Sequence, residues 1–117
     1  MLCPSYPQQA ATLEIGVRDA DGTIRFHATP IALSPEVRAR RAEAREADSR
    51  ARFAGPCATS ACSNWGGGCR LGRFVAEDAA SEGRPCAISD RCRWISENGP
   101  SVCQRCPVVT YRPAQIT

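Results

Sequence analysis

Lysine is absent from this chain: all fifteen basic residues are arginine. With alanine abundant, that is the mark of a coding bias rather than of a basic face. Acids are interleaved almost everywhere and the net charge is only +3, whereas a dedicated nucleic-acid surface carries one sign over a continuous face. Aromatic residues make up 6% of the chain, and much of its 43% hydrophobic content is alanine and cysteine. A chain of 117 residues so short of large apolar side chains struggles to offset its conformational entropy by burial alone. Cross-links or metal must supply what the core lacks. There is one histidine, no glycine-flanked nucleophile and no G-x-x-x-x-G-K-[ST] loop, since "WGGGCRLG" at 65–72 has no lysine. Hydrolytic catalysis has nothing to stand on, so the chain reads as a carrier or accessory protein rather than an enzyme. No run approaches the roughly 18 apolar residues that span a bilayer. The opening "MLCPSYPQQAATLEIG" lacks a basic n-region, a long apolar run and a cleavage site. The expectation is a cytoplasmic protein without membrane contact, where thiols are kept reduced.

What is present divides into three stretches. Residues 1–33 form an N-terminal arm and a β-hairpin over 12–29, with Asp21-Gly22 as a two-residue type I′ loop. That register sets Val17 opposite Phe26, Ile15 opposite Ala28 and Arg18 opposite Arg25, with Arg18, Arg25 and His27 on the outer face. Residues 34–56 are a charged helix and linker. Ser34 is the N-cap, Pro35 the first helical residue and Glu36 sits in the first turn. Glu36/Arg40, Glu46/Arg50 and Asp48/Arg52 are i,i+4 pairs, and the helix is expected to run to Phe53. Its apolar stripe is thin, as in a solvated arm. Residues 57–117 are a cysteine-rich module with a helix around Leu71, Phe74 and Val75, closed by Glu82-Gly83. A second helix is expected from Ser89 to about Glu97, stopped by Asn98-Gly99-Pro100, with a closing strand at 107–111. The fold class expected is a small α+β protein stabilised by a metal or a cluster.

Seven of the eight cysteines fall in this module, in the pattern C-x4-C-x6-C, sixteen residues, then C-x5-C-x10-C-x2-C. The second group, Cys86, Cys92, Cys103 and Cys106, is a complete set of four thiolates, suited to a structural zinc or an iron–sulfur cluster. Over Cys103 to Pro107 the "CxxCP" ending resembles the cluster-binding loops of bacterial ferredoxins, although the other spacings do not match theirs. That resemblance implies a 4Fe–4S type of cluster. Zinc ribbons repeat short knuckles in pairs, and here there is one C-x2-C. The first group, Cys57, Cys62 and Cys69, is one ligand short. Its fourth ligand is Cys3, His27 or an open position, and the competing reading is that these are small buried residues around a single centre. Glycines 66–68 would let backbone pass close to a bulky inorganic core.

Two functions follow. The first is an iron–sulfur protein that carries electrons or assists a partner redox or radical enzyme. The alternative is a zinc-stabilised adaptor that binds a protein partner or, ranked below that, a nucleic acid. Disulfides rank below both, given the odd count within the module. Dithiol exchange at Cys103-Gln104-Arg105-Cys106 lacks the βαβ unit it needs. A lone hairpin is marginal in water, so its apolar face must meet the module or a partner protein. The expectation is a partner, with the Arg-rich helix extending the contact to acidic side chains.

Overall fold

The computed structural model describes residues 1–43, 50–77, 79–80 and 83–108. It is a small α+β protein with a four-stranded antiparallel sheet: β1 (Leu2–Cys3), β2 (Leu13–Arg18), β3 (Ile24–Ala32) and β4 (Ala51–Pro56), in the order β1-β4-β2-β3. Four α-helices lie among the described residues: α1 (Pro35–Glu43), α2 (Arg70–Glu77), α3 (Arg93–Asn98) and α4 (Val102–Arg105).

The hairpin is present, but its register differs from the expected one. Gly16 faces Phe26, Val17 faces Arg25 and Arg18 faces Ile24, with a bulge between Glu14 and Gly16. The loop has three residues. Gly22 N–H donates to the Asp19 carbonyl, Asp19 N–H donates to the Thr23 carbonyl, and Gly22 takes φ +89°. A type I turn followed by a left-handed residue matches the strand twist as well as a two-residue loop does. The two arginines therefore do not face each other. Arg18 reaches the Gly22 carbonyl at 2.7 Å and Arg25 approaches Asp19 at 3.7 Å.

The helix starts as expected, with Ser34 Oγ accepting from Val37 N–H at 3.2 Å. It does not reach Phe53. Residues 44–49, which include Glu46 and Asp48 of the expected ion pairs, lie outside the described residues, and Ala51–Pro56 is a strand flanked on both sides. Tertiary contact overrides helix propensity here. Ala51 and Phe53 pack with Tyr6, Ala11 and Leu33 on one face. Ala54 packs with Ile15 and Ile88 on the other, the face to which the alternation of a strand also sends Arg52.

That second face carries the cysteine-rich segment. Phe26 and Ile15 meet Ile88, and Phe26 also touches a cluster of Leu71, Val75, Trp94 and Val102. The hairpin's inner face is thus covered within the chain. α2 forms where Leu71 and Val75 predict it and ends at Glu77, ahead of the expected stop at Glu82, a residue outside those described. α3 begins at Arg93, after a 3-10 turn at Ser89–Arg91, so Cys92 rather than Ser89 is its N-cap residue. Ser89 instead accepts the Cys86 amide at 2.7 Å. Gly99, at φ +81°, ends α3 as the Asn98-Gly99-Pro100 sequence requires. Pro107 and Val108 belong to a 3-10 turn at Cys106–Val108, and the rest of the expected closing strand lies outside the described residues.

Candidate metal centres

The eight cysteines are all free thiols and separate into two quartets. In the first, β1 supplies Cys3, and its pairing with β4 sets Cys3 opposite Gly55, two residues before Cys57. Cys57 N–H donates to the Met1 carbonyl, tying the two segments together. Cys62 follows the 3-10 turn at Thr59–Ala61, and its sulfur accepts the Asn64 amide at 3.4 Å. Cys69 sits at the start of α2, where its sulfur accepts the Gly72 amide at 3.4 Å. All four line one cavity with Tyr6, Trp65, Leu71, Arg93 and Trp94. Of the three candidates for fourth member, Cys3 stands with the trio. His27 does not: its Nε2 lies 2.9 Å from Glu14 Oε2. A side chain at Gly67 would meet nothing and one at Gly68 would meet Glu97. Their positive φ values turn the chain back so that the Cys69 amide reaches Glu97 Oε1 at 2.8 Å.

The second quartet is the complete one read from the sequence. Cys86, Cys92, Cys103 and Cys106 line a second cavity with Pro4, Ile15, Phe26, Trp94 and Val102. Ser89 Oγ lies 3.9 Å from Cys86 Sγ. Cys103 is on α4, and Cys106 follows directly after it. Arg52 on β4, almost fully buried, points its guanidinium at this corner. It donates to Cys106 Sγ at 3.2 Å, to the Cys106 carbonyl at 3.0 Å and to the Pro4 carbonyl at 3.4 Å.

The electrostatics follow from burial. Desolvation pushes the Cys3 thiol up to about 12, against one backbone hydrogen bond from Ser5, and its neighbours Cys69, Cys57 and Cys62 raise it further. Desolvation likewise raises Cys92 to about 12, partly opposed by the amides of Ile95 and Trp94, and Cys103 to about 11. Burial also raises Cys106, while the charge and hydrogen bond of Arg52 pull it back. Four thiolates in either cavity therefore need a compensating positive charge, which a metal centre supplies. The donor sets suit metal: each is all sulfur, in a largely apolar pocket with N–H groups aimed at sulfur. Among the described residues, however, no three His, Cys, Asp or Glu side chains converge as bonds to one ion require.

Arg52 falls in the expected charged helix, and no local signal marks it as buried. Trp94 is 1% exposed and lines both cavities. Arg93 stacks over Trp65, 5.4 Å from the ring centre, and no spacing signal marks that pair. Comparison with protein-family models, with characterised proteins and with solved structures returns no significant match.

Proposed function

We propose that this chain is a small iron–sulfur protein that holds a 4Fe–4S type cluster on Cys86, Cys92, Cys103 and Cys106, and that it carries electrons or assists a partner redox enzyme. The observation that carries the reading is the second quartet itself. Four thiols line one cavity, and a buried guanidinium rests on the sulfur of Cys106. A buried cation there favours an anion at that corner.

A bound cluster of this type supplies one-electron chemistry at a potential set by its surroundings. The protein's part is to hold and tune it. Arg52 stabilises negative charge at Cys106, Ser89 lies against Cys86, and Ile15, Phe26 and Val102 keep water from the inner side. An open groove of about 650 Å³ runs past Cys86 and Cys103 and is lined by Arg25, His27 and Arg84. It offers a protein partner with acidic side chains a route to this edge of the site.

The test is anaerobic purification. The protein should be brown, with broad absorbance near ~400 nm from thiolate-to-iron transitions, and Cys103→Ser or Cys106→Ser should lose that chromophore. A colourless protein carrying stoichiometric zinc would sink the cluster and leave the zinc-stabilised adaptor.

A further inference from the structure

The proposed cluster leaves Cys3, Cys57, Cys62 and Cys69 without a task, though they too share a cavity. Two of that cavity's walls carry donors with nothing to donate to. Trp94 Nε1 and Arg93 Nε are buried and have no hydrogen-bond partner among the described residues. A buried N–H left unpaired is costly, and the sulfurs of an anionic centre are suitable acceptors. The all-sulfur donor set and the unpaired donors together describe a site for an anionic sulfur-rich group.

The two cavities share a lining residue. Trp94 lines both. Cys3 lines the first, and the next residue, Pro4, lines the second. Leu2 bridges Cys92, so the strand that supplies Cys3 to one quartet runs beside the residue that supplies a thiol to the other. Neighbouring strands lie about 4.8 Å apart.

We infer that the first quartet holds a second iron–sulfur cluster, and that the chain passes single electrons between two clusters across Trp94. This rests on the reading of the second quartet given above. In each transfer one electron leaves the reduced cluster, whose iron is oxidised, and reduces the iron of the other. No bond is made or broken, and no proton moves. A one-electron donor protein delivers the electron at one site, and a one-electron acceptor protein removes it at the other.

The experiment uses the full chain reconstituted anaerobically with ferrous iron and sulfide. Expected are about eight irons per chain, two cubanes' worth, falling by about half in Cys3→Ala and by about half in Cys103→Ala. After reduction with dithionite, the electron paramagnetic resonance of the wild type should be split or broadened by coupling of two neighbouring spins. Each variant should show a simple one-cluster spectrum. About four irons in the wild type, unchanged by Cys3→Ala, would overturn the second centre while leaving the proposed function standing. Eight irons with a wild-type spectrum equal to the sum of the two variants would refute exchange across Trp94. If the variants fail to fold, iron content and spin coupling of the wild type decide the question alone. A chain that binds no iron ends both readings.

Discussion

Arg52 is the residue whose replacement tests most of the architecture at once. It is a charged side chain in the second strand of the sheet, 1% exposed, and its contacts join β4 to Cys106 and Pro4. Arg52→Met keeps much of the apolar stem and removes the charge and the donors. Two of its hydrogen bonds have good lengths, 3.2 Å to Cys106 Sγ and 3.0 Å to the Cys106 carbonyl. Hydrogen bonds from a charged group are worth about 1.5–3 kcal/mol each, and breaking a buried charged contact from one side costs about 3–5 kcal/mol. We therefore expect a loss of about 3–5 kcal/mol. At about 4 °C per kcal/mol for a domain this size, the thermal midpoint of the metal-loaded protein should fall by about 12–20 °C at a fixed scan rate. Arg52→Lys keeps the charge but not the fork that reaches both sulfur and carbonyl, so it should fall between the two. In the methionine variant the reduction potential should also drop, because the more negative, reduced site loses its neighbouring cation. A midpoint within about 3 °C of wild type in Arg52→Met would show that the guanidinium neither holds the sheet to the second quartet nor compensates charge there.

Gly72 lies against Trp94, where a Cβ would stand 2.5 Å from Cδ1 and 2.8 Å from Cγ. Gly72→Ala gains about 1 kcal/mol of helix propensity and costs up to about 3 kcal/mol in overpacking. Because the indole is held between two cavities, a net loss of about 1–2 kcal/mol is expected in chemical denaturation, and a gain in stability would show that Trp94 can give way. A fragment of residues 55–117 lacks Cys3, Arg52 and most of β4, so it should neither fold nor keep its metal, as circular dichroism and metal analysis would report. A folded, metal-loaded fragment would contradict the role given to the sheet. Burial keeps Cys3, Cys92 and Cys103 protonated without metal, whereas metal binds the thiolate. Loading should therefore release protons from these thiols and tighten as pH rises through neutrality. Metal affinity that does not change with pH between about 6 and 8 would contradict protonated resting thiols.

Local chemistry made several elements legible in the sequence. The Ser34 cap and the Gly99 stop each depend on a few adjacent atoms, and each stands where the residues predict. The grouping of Cys86, Cys92, Cys103 and Cys106 in the sequence, a close C-x2-C and two nearby thiols, coincides with the lining of one cavity. The end of the charged helix was not legible. "ARFA" at 51–54 reads as helix by composition, and it becomes a strand because β1 and β2 flank it and its two faces are buried against different partners. The hairpin register turned on one bulge, a choice between nearly equal loops that packing of Ile15 against Ile88 accompanies. Cys3 lies 54 residues before Cys57, and only the β1–β4 pairing brings it to the other three thiols. Arg52 and Trp94 gained their places in the same way. Chain segments distant in sequence meet at them, and no spacing rule encodes a contact that depends on where a whole sheet lies.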